Sequence, residues 1–352
     1  MQSHLQGYLP MSHQPPSFLE TLYAEATESS SATCVAPLLM HGFPAEPKHR
    51  VTWDNWMRPP FSQWGFRNLA RLRPTIDVPA GPGPVDTLKQ APKALDQLCF
   101  DSECGLSISV IDHLNASQTD AFLVMQGDTV LFERYFNGQQ ACDRHIMFSV
   151  TKSLIGTLGE QLVCSGVLKP GLPAAYYVPE LVGCAFGDAT VRQLFDMAVG
   201  IDYSEVYDDP SSESSQYGYA CGFQPAPAQY VQFESLYQYL PSLKKRASHG
   251  GFFHYVTATT EALAWVMERA SGKACSQLLA EIWGRLGCDR DGYFMADPWG
   301  RNVAGAGFSA TLRDIARFGR LLANDGCHEG RQLLSPETVA RIARSEEHTS
   351  EL

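Results

Sequence analysis

An α+β fold is predicted by three features of the chain: a β-hairpin signal over 120–135, an amphipathic helix beginning at Ser149, and a set of capped helices after residue 250. The hairpin reads from Phe122-Leu123-Val124-Met125 and Thr129 to Tyr135, two apolar runs on either side of a tight turn containing Gly127. The helix reads from the spacing of Leu154, Ile155, Leu158, Leu162 and Val163, which share one face.

Taken in order, residues 1–50 are rich in Ser, Pro, Gln and His and lack a period, so they read as a loosely ordered arm with a short helix over Phe18 to Ala26. Trp53, Trp56, Pro59, Pro60, Phe61, Trp64 and Phe66 follow as an aromatic and proline cluster. Its simplest role is to clamp an extended segment onto the body, with pocket lining as the alternative. Leu106 to Ile111 reads as a further short strand. The hairpin then delivers the chain to the Ser149 helix, which Gly166 and the proline-containing run from Lys169 to Pro179 terminate.

Thr190 to Met197 reads as a short helix with Gly200 as its C-cap. From Gly200 to Ala247 the aromatic content is high and no period appears, the pattern of an active-site wall or of core filling in a helical subdomain. Thr260 to Ser271 is a helix ended by Gly272, and Cys275 to Leu286 another ended by Gly287. Thr311 and Asp314 have capping-box spacing before a helix through Leu322, and Ser335-Pro336-Glu337 opens the last one. The expected organisation is an arm over 1–50, a catalytic domain over 51–344 with a helical and loop subdomain at 165–300, and a non-native-looking tail over 345–352.

With 44% hydrophobic and 18% charged residues, the chain reads as globular. A formal net charge of -11 with no basic stripe argues against a nucleic-acid partner. No membrane-spanning run and no secretory signal are apparent, so no membrane partner is expected and a cytoplasmic location is the default. The ten cysteines are scattered without a Cys-x-x-Cys pair, and the ten histidines form no ligand set; free thiols are expected, with no metal and no cofactor.

The stretch that carries chemistry is Phe148-Ser149-Val150-Thr151-Lys152-Ser153. Residues at i and i+3 of a helix face the same side, which brings the Lys152 amine within reach of the Ser149 hydroxyl. A serine is a weak nucleophile until a neighbour takes its proton, and apolar Met147, Phe148, Leu154 and Ile155 offer the partial desolvation that makes an amine a base. The bland alternative is a serine that caps a helix whose lysine faces water.

Together with Trp56 to Trp64, Leu131 to Phe136, Gly200 to Asp209, Tyr255 and its following helix, and Gly305 to Asp314, this stretch resembles the serine beta-lactamase-like hydrolases. These are the class C beta-lactamases, DD-peptidases and esterase relatives, and the resemblance is closest to the 6-aminohexanoate-dimer hydrolases. It implies a beta-lactamase/transpeptidase-like α/β sandwich, a mostly antiparallel sheet flanked by helices plus a helical subdomain. It further implies Ser149 as the nucleophile that forms an acyl-enzyme, Lys152 as its proton acceptor, and Tyr255 as the phenol that shuttles the proton to the leaving group. Tyr207 matches a substrate-side tyrosine, and Thr257 stands in the substrate-binding position where the lactamases carry asparagine. That departure leans toward amide and ester hydrolysis. Glu133 and Arg134, as a strand-end charge pair, and Asp314, as a helix cap, read as structural.

The resemblance also implies a later strand, bearing Lys-Thr-Gly or a His/Gly variant, that supplies one oxyanion-hole N–H. Ser345 to Leu352 does not match it, so the C-terminal strands are expected to be missing and the chain to be a fragment. The function expected is a serine hydrolase cleaving a small linear amide or ester. A beta-lactamase or DD-peptidase is one alternative, and a non-catalytic binding protein with an incomplete site is another. The oligomeric state, a homodimer included, is left open.

Overall fold

A computed structural model describes residues 38–102, 105–230 and 233–344. The helix expected over Phe18 to Ala26 and the tail over 345–352 lie outside these residues. The architecture is mixed α+β, with small, mainly antiparallel sheets flanked by helices. Four strands, β1 (Thr75–Val78), β7 (His145–Ile146), β8 (Gly292–Met295) and β9 (Phe308–Ala310), form an antiparallel sheet in the order β1-β8-β9-β7. Every residue of β8 and β9 is buried, so this sheet is covered on both faces.

A second sheet contains β5 (Ala121–Gln126) and β6 (Thr129–Tyr135), the expected hairpin, with β2 (Lys89–Gln90) parallel to β6 on its far side. Two-stranded pieces are made by β3 (Cys99–Asp101) with β4 (Ser107–Ser109), and by β10 (Cys327–His328) with β11 (Arg331–Gln332). Among the described residues, the α-helices longer than four residues are α1 (Val110–Ala116), α2 (Val150–Cys164), α3 (Val191–Phe195), α4 (Glu213–Cys221), α5 (Thr257–Ser271), α6 (Cys275–Trp283), α7 (Leu312–Ala323) and α8 (Pro336–Ala343).

The core forms where the apolar faces of α2, α5 and α6 meet the four-stranded sheet. Leu154, Ile155 and Leu158 of α2 are buried there with Val266, Met267, Leu279, Trp283, Phe294 and Phe308. α6 packs on β1, α8 on α2, and α7 on β5. The capping expected for α7 is present: Thr311 Oγ1 accepts the Asp314 N–H at 3.1 Å. Asp314 in turn receives the Asp289 and Arg290 amides and the Arg317 guanidinium, so it is a structural knot.

Several expectations are corrected. The strand signal at Leu106 to Ile111 ends at Ser109, because the Ser109 hydroxyl accepts the Asp112 N–H and starts α1. The helix over Thr190 to Met197 stops at Phe195, and Gly200 is not its cap; the left-handed residue that turns the chain is Met197, with φ 48°. Gly200 serves a different need, since a Cβ there would lie 2.2 Å from the Ala247 carbonyl oxygen. α6 ends at Trp283, one turn before Gly287. Glu133 does not pair with Arg134: its carboxylate takes both forks of Arg313, at 2.8 and 3.0 Å, while Arg134 reaches Asp96.

The tyrosine-rich stretch from Gly200 to Ala247 is mostly interior filling. Tyr203, Tyr217, Tyr219, Phe223 and Tyr239 are buried, and α4 lies within it, capped by Ser212 and closed by left-handed Gly222. Trp56 is buried, stacks on Trp53, and donates Nε1–H to the Phe223 carbonyl at 2.9 Å, so the tryptophan cluster is a clamp. Its inner face also touches the segment that delivers Ser149.

Candidate active site

Strand β7 sets the position of Ser149. Ile146 pairs with Ser309 of β9, and the Met147 N–H donates to the Phe308 carbonyl at 2.7 Å, so the chain is tied to the sheet up to the residue before the turn. Phe148 then adopts φ 40°, a left-handed conformation that costs a non-glycine residue about 1–3 kcal/mol. Its ring is held by Trp56, Phe66 and Phe223, with centroids 6.4, 5.1 and 6.3 Å away. This aromatic box fixes the sharp change of direction at which α2 begins.

Ser149 precedes the first residue of α2 with helical φ, and its side chain makes no capping hydrogen bond. The hydroxyl is instead shared by two partners. Lys152 Nζ donates to Ser149 Oγ at 3.0 Å and to the Gly305 carbonyl at 2.9 Å. The Tyr255 hydroxyl donates to Ser149 Oγ at 2.8 Å, and Lys152 Nζ lies 5.1 Å above the Tyr255 ring centroid. Ser149 faces solvent, Lys152 is half-buried, and Tyr255 stands at the rim.

Tyr255 is positioned from both sides. The preceding His254 N–H donates to the Met197 carbonyl at 2.8 Å, which explains why the chain turns at Met197, and α5 starts two residues later at Thr257. Burial, then Arg246, lowers the His254 pKa below its ordinary value.

Tyr207 and Thr257 are joined by a residue that sequence reasoning did not single out. One oxygen of the Glu205 carboxylate accepts the Thr257 N–H at 2.6 Å and the other accepts the Tyr207 hydroxyl. Partial burial, then the Glu205 contact, raises the Tyr207 phenol well above its ordinary pKa, so it is a neutral hydrogen-bond donor. Tyr207 itself is 70% exposed, an aromatic at the mouth of the site. Thr257 is buried, with its amide committed to Glu205.

Behind Lys152 lies Glu261, also unanticipated. Its carboxylate accepts the Gly305 N–H at 2.6 Å, the Ala304 N–H at 3.0 Å and the Tyr217 hydroxyl at 2.7 Å. Burial pushes its pKa up to about 7, against those hydrogen bonds and the nearby Lys152, which pull it down. The signal available in the sequence was an acid at position 261 set among the apolar residues Ala258, Ala262, Leu263 and Trp265 of the helix.

Among the described residues no group of three or more His, Cys, Asp or Glu side chains is placed to hold a metal ion, and no helix is long and apolar enough to cross a membrane. The eight cysteines described are free.

A hydroxyl bonded at once to an amine and a phenol, at the head of a helix, is the apparatus of a serine acyl-transfer enzyme. Comparison with known proteins gives the family. A profile of the Beta-lactamase family matches residues 108–351, and the chain belongs to that family of serine hydrolases. It is 34% identical over 310 residues to the 6-aminohexanoate-dimer hydrolase of Paenarthrobacter ureafaciens, spanning 85% of this chain and 74% of that protein. Among solved structures, a Bacillus anthracis protein provisionally assigned as a 6-aminohexanoate-dimer hydrolase superposes with a TM-score of 0.79 at 30% identity, covering 84% of this chain and 78% of that one.

Proposed function

We propose that this chain hydrolyses a small linear amide or ester through an acyl group carried on Ser149. The observation that carries the reading is the Ser149 hydroxyl within 3.0 Å of both Lys152 Nζ and the Tyr255 hydroxyl. In the first step the contact between Oγ and Nζ reverses its polarity: the Lys152 amine takes the Oγ proton as Oγ bonds to the substrate carbonyl carbon. The Ser149 N–H, at the N-terminus of α2, faces the developing oxyanion; one such donor is worth about 3 kcal/mol of barrier. Tyr255 gives its proton to the departing nitrogen or oxygen and is reprotonated from Lys152. In the second step water adds to the acyl carbon, its proton returning through Tyr255, and the carboxylate product leaves as Ser149 regains its proton.

Tyr207, at the mouth with its O–H committed to Glu205, is suited to accept from or pack on the substrate amide. The amide class is supported by the names of the two relatives, which describe both as 6-aminohexanoate-dimer hydrolases, the second provisionally. Release of 6-aminohexanoate from its linear dimer, followed by chromatography beside p-nitrophenyl acetate and a chromogenic cephalosporin, tests the reading. Turnover of the dimer or ester but not the cephalosporin is expected; turnover of the cephalosporin alone overturns it.

A further inference from the structure

We infer that Glu261 is the positioning residue for Lys152, acting through the backbone of Gly305. The inference rests on the proposed role of Lys152 as the base for Ser149.

The connection is short and continuous. Glu261 grips the amides of Ala304 and Gly305, and the carbonyl of that same Gly305 receives Lys152 Nζ at 2.9 Å. A neutral amine has two N–H bonds and one lone pair. Anchoring an N–H on Gly305 fixes how the amine is turned and leaves the lone pair for the Ser149 hydroxyl. The Gly305 N–H and C=O lie in consecutive peptide planes joined at its Cα, so holding the first at Glu261 limits the swing of the second; with the carbonyl turned away, Lys152 would keep its reach but lose its aim.

The close fit supports a positioning role. Gly305 sits so tightly on α5 that an added Cβ would meet Thr257 Cγ2 at 2.8 Å and Glu261 Oε1 at 2.9 Å. Glu261 is buried, and its partners come from three other elements: Tyr217 from α4, Lys152 from α2 and the loop before β9. Cys221 of α4 and Cys275 of α6 also face it, both held as neutral thiols by burial. A carboxylate in that setting is costly unless its hydrogen bonds are all made. Three are, and two of those hold the loop that carries the lysine acceptor. A glutamine offers a single oxygen for two amides, and would turn its NH2 against one of them.

The test is the rate of covalent adduct formation with a fluorophosphonate, read by intact mass across pH at saturating probe, for the full chain, Glu261→Gln and Tyr217→Phe. In Glu261→Gln the limiting rate per folded molecule is expected to fall about tenfold to a hundredfold, with the saturating concentration unchanged and the pH profile displaced. Tyr217→Phe, which removes one of the three donors, should show a smaller fall in the same direction. Unchanged limiting rate and pH profile, with only a lower melting temperature, would make Glu261 merely structural and overturn the inference. If Glu261→Gln fails to fold, Tyr217→Phe decides by the same criterion. Absence of any Ser149-dependent adduct in the unaltered chain would instead sink the functional reading itself, and this inference with it.

Discussion

The Tyr255 hydroxyl donates to Ser149 Oγ at 2.8 Å, joining the start of α5 to the start of α2 across 106 positions of sequence. The contact gives the serine a second partner besides Lys152. Acid and base duties can therefore be divided between two groups, and each can be removed separately.

Lys152→Met keeps most of the side-chain volume and removes the amine. It should lower kcat/KM on a short p-nitrophenyl ester by about 10²- to 10⁴-fold, the range for loss of a general base. Circular dichroism and the melting temperature should change little, since Nζ contacts only Ser149 Oγ and Gly305 O by hydrogen bond.

Tyr255→Phe should separate amides from activated esters. An amine must be protonated to leave, whereas p-nitrophenolate need not be. The loss in kcat is therefore expected to be about 10²-fold or more on a linear amide and distinctly smaller on the nitrophenyl ester. Equal losses on both would remove the leaving-group role.

Gly305→Ala places a methyl against Thr257 and Glu261, and the loop must move to admit it. Overpacking of this kind costs about 1–3 kcal/mol of stability, readable as a lower urea midpoint. The activity of the molecules that remain folded should fall further than stability alone explains, because the moved carbonyl is the Lys152 acceptor.

Glu261 should also leave a signature in stability against pH. Its folded pKa, about 7, lies above the ordinary carboxyl value, so the folded state binds the proton more tightly than the unfolded chain. Its contribution is fully present below the ordinary carboxyl pKa and is lost as pH rises to about 7. The size is on the order of 3 kcal/mol from the displacement alone. Urea midpoints across this window should fall more steeply with rising pH in the unaltered chain than in Glu261→Gln.

The sequence exposed those parts of the fold that local pattern determines. The β5–β6 hairpin follows from two apolar runs around Gly127, and α7 and α8 from their Thr311 and Ser335 caps. The Ser149 and Lys152 proximity is likewise local, one helical turn. α4 escaped notice because seven of its nine residues are buried, so it has no polar face and no period. The four-stranded sheet was equally hidden: its strands are two to four residues long and come from distant parts of the chain. Glu205 and Glu261 act through backbone amides of remote segments, Thr257 in one case and Ala304–Gly305 in the other, and no motif spacing encodes such pairs. Glu133 looked like a partner for its neighbour Arg134, but side chains next to each other on a strand point to opposite faces, and Arg313 approaches from α7.

The most direct measurement of the central claim is the intact mass of the chain and of Ser149→Ala after incubation with a fluorophosphonate. A single adduct on the unaltered chain that is abolished in Ser149→Ala, while both show the same cooperative melt, is the predicted result. A folded chain that takes no adduct, or one that takes it equally without the serine hydroxyl, would contradict the account.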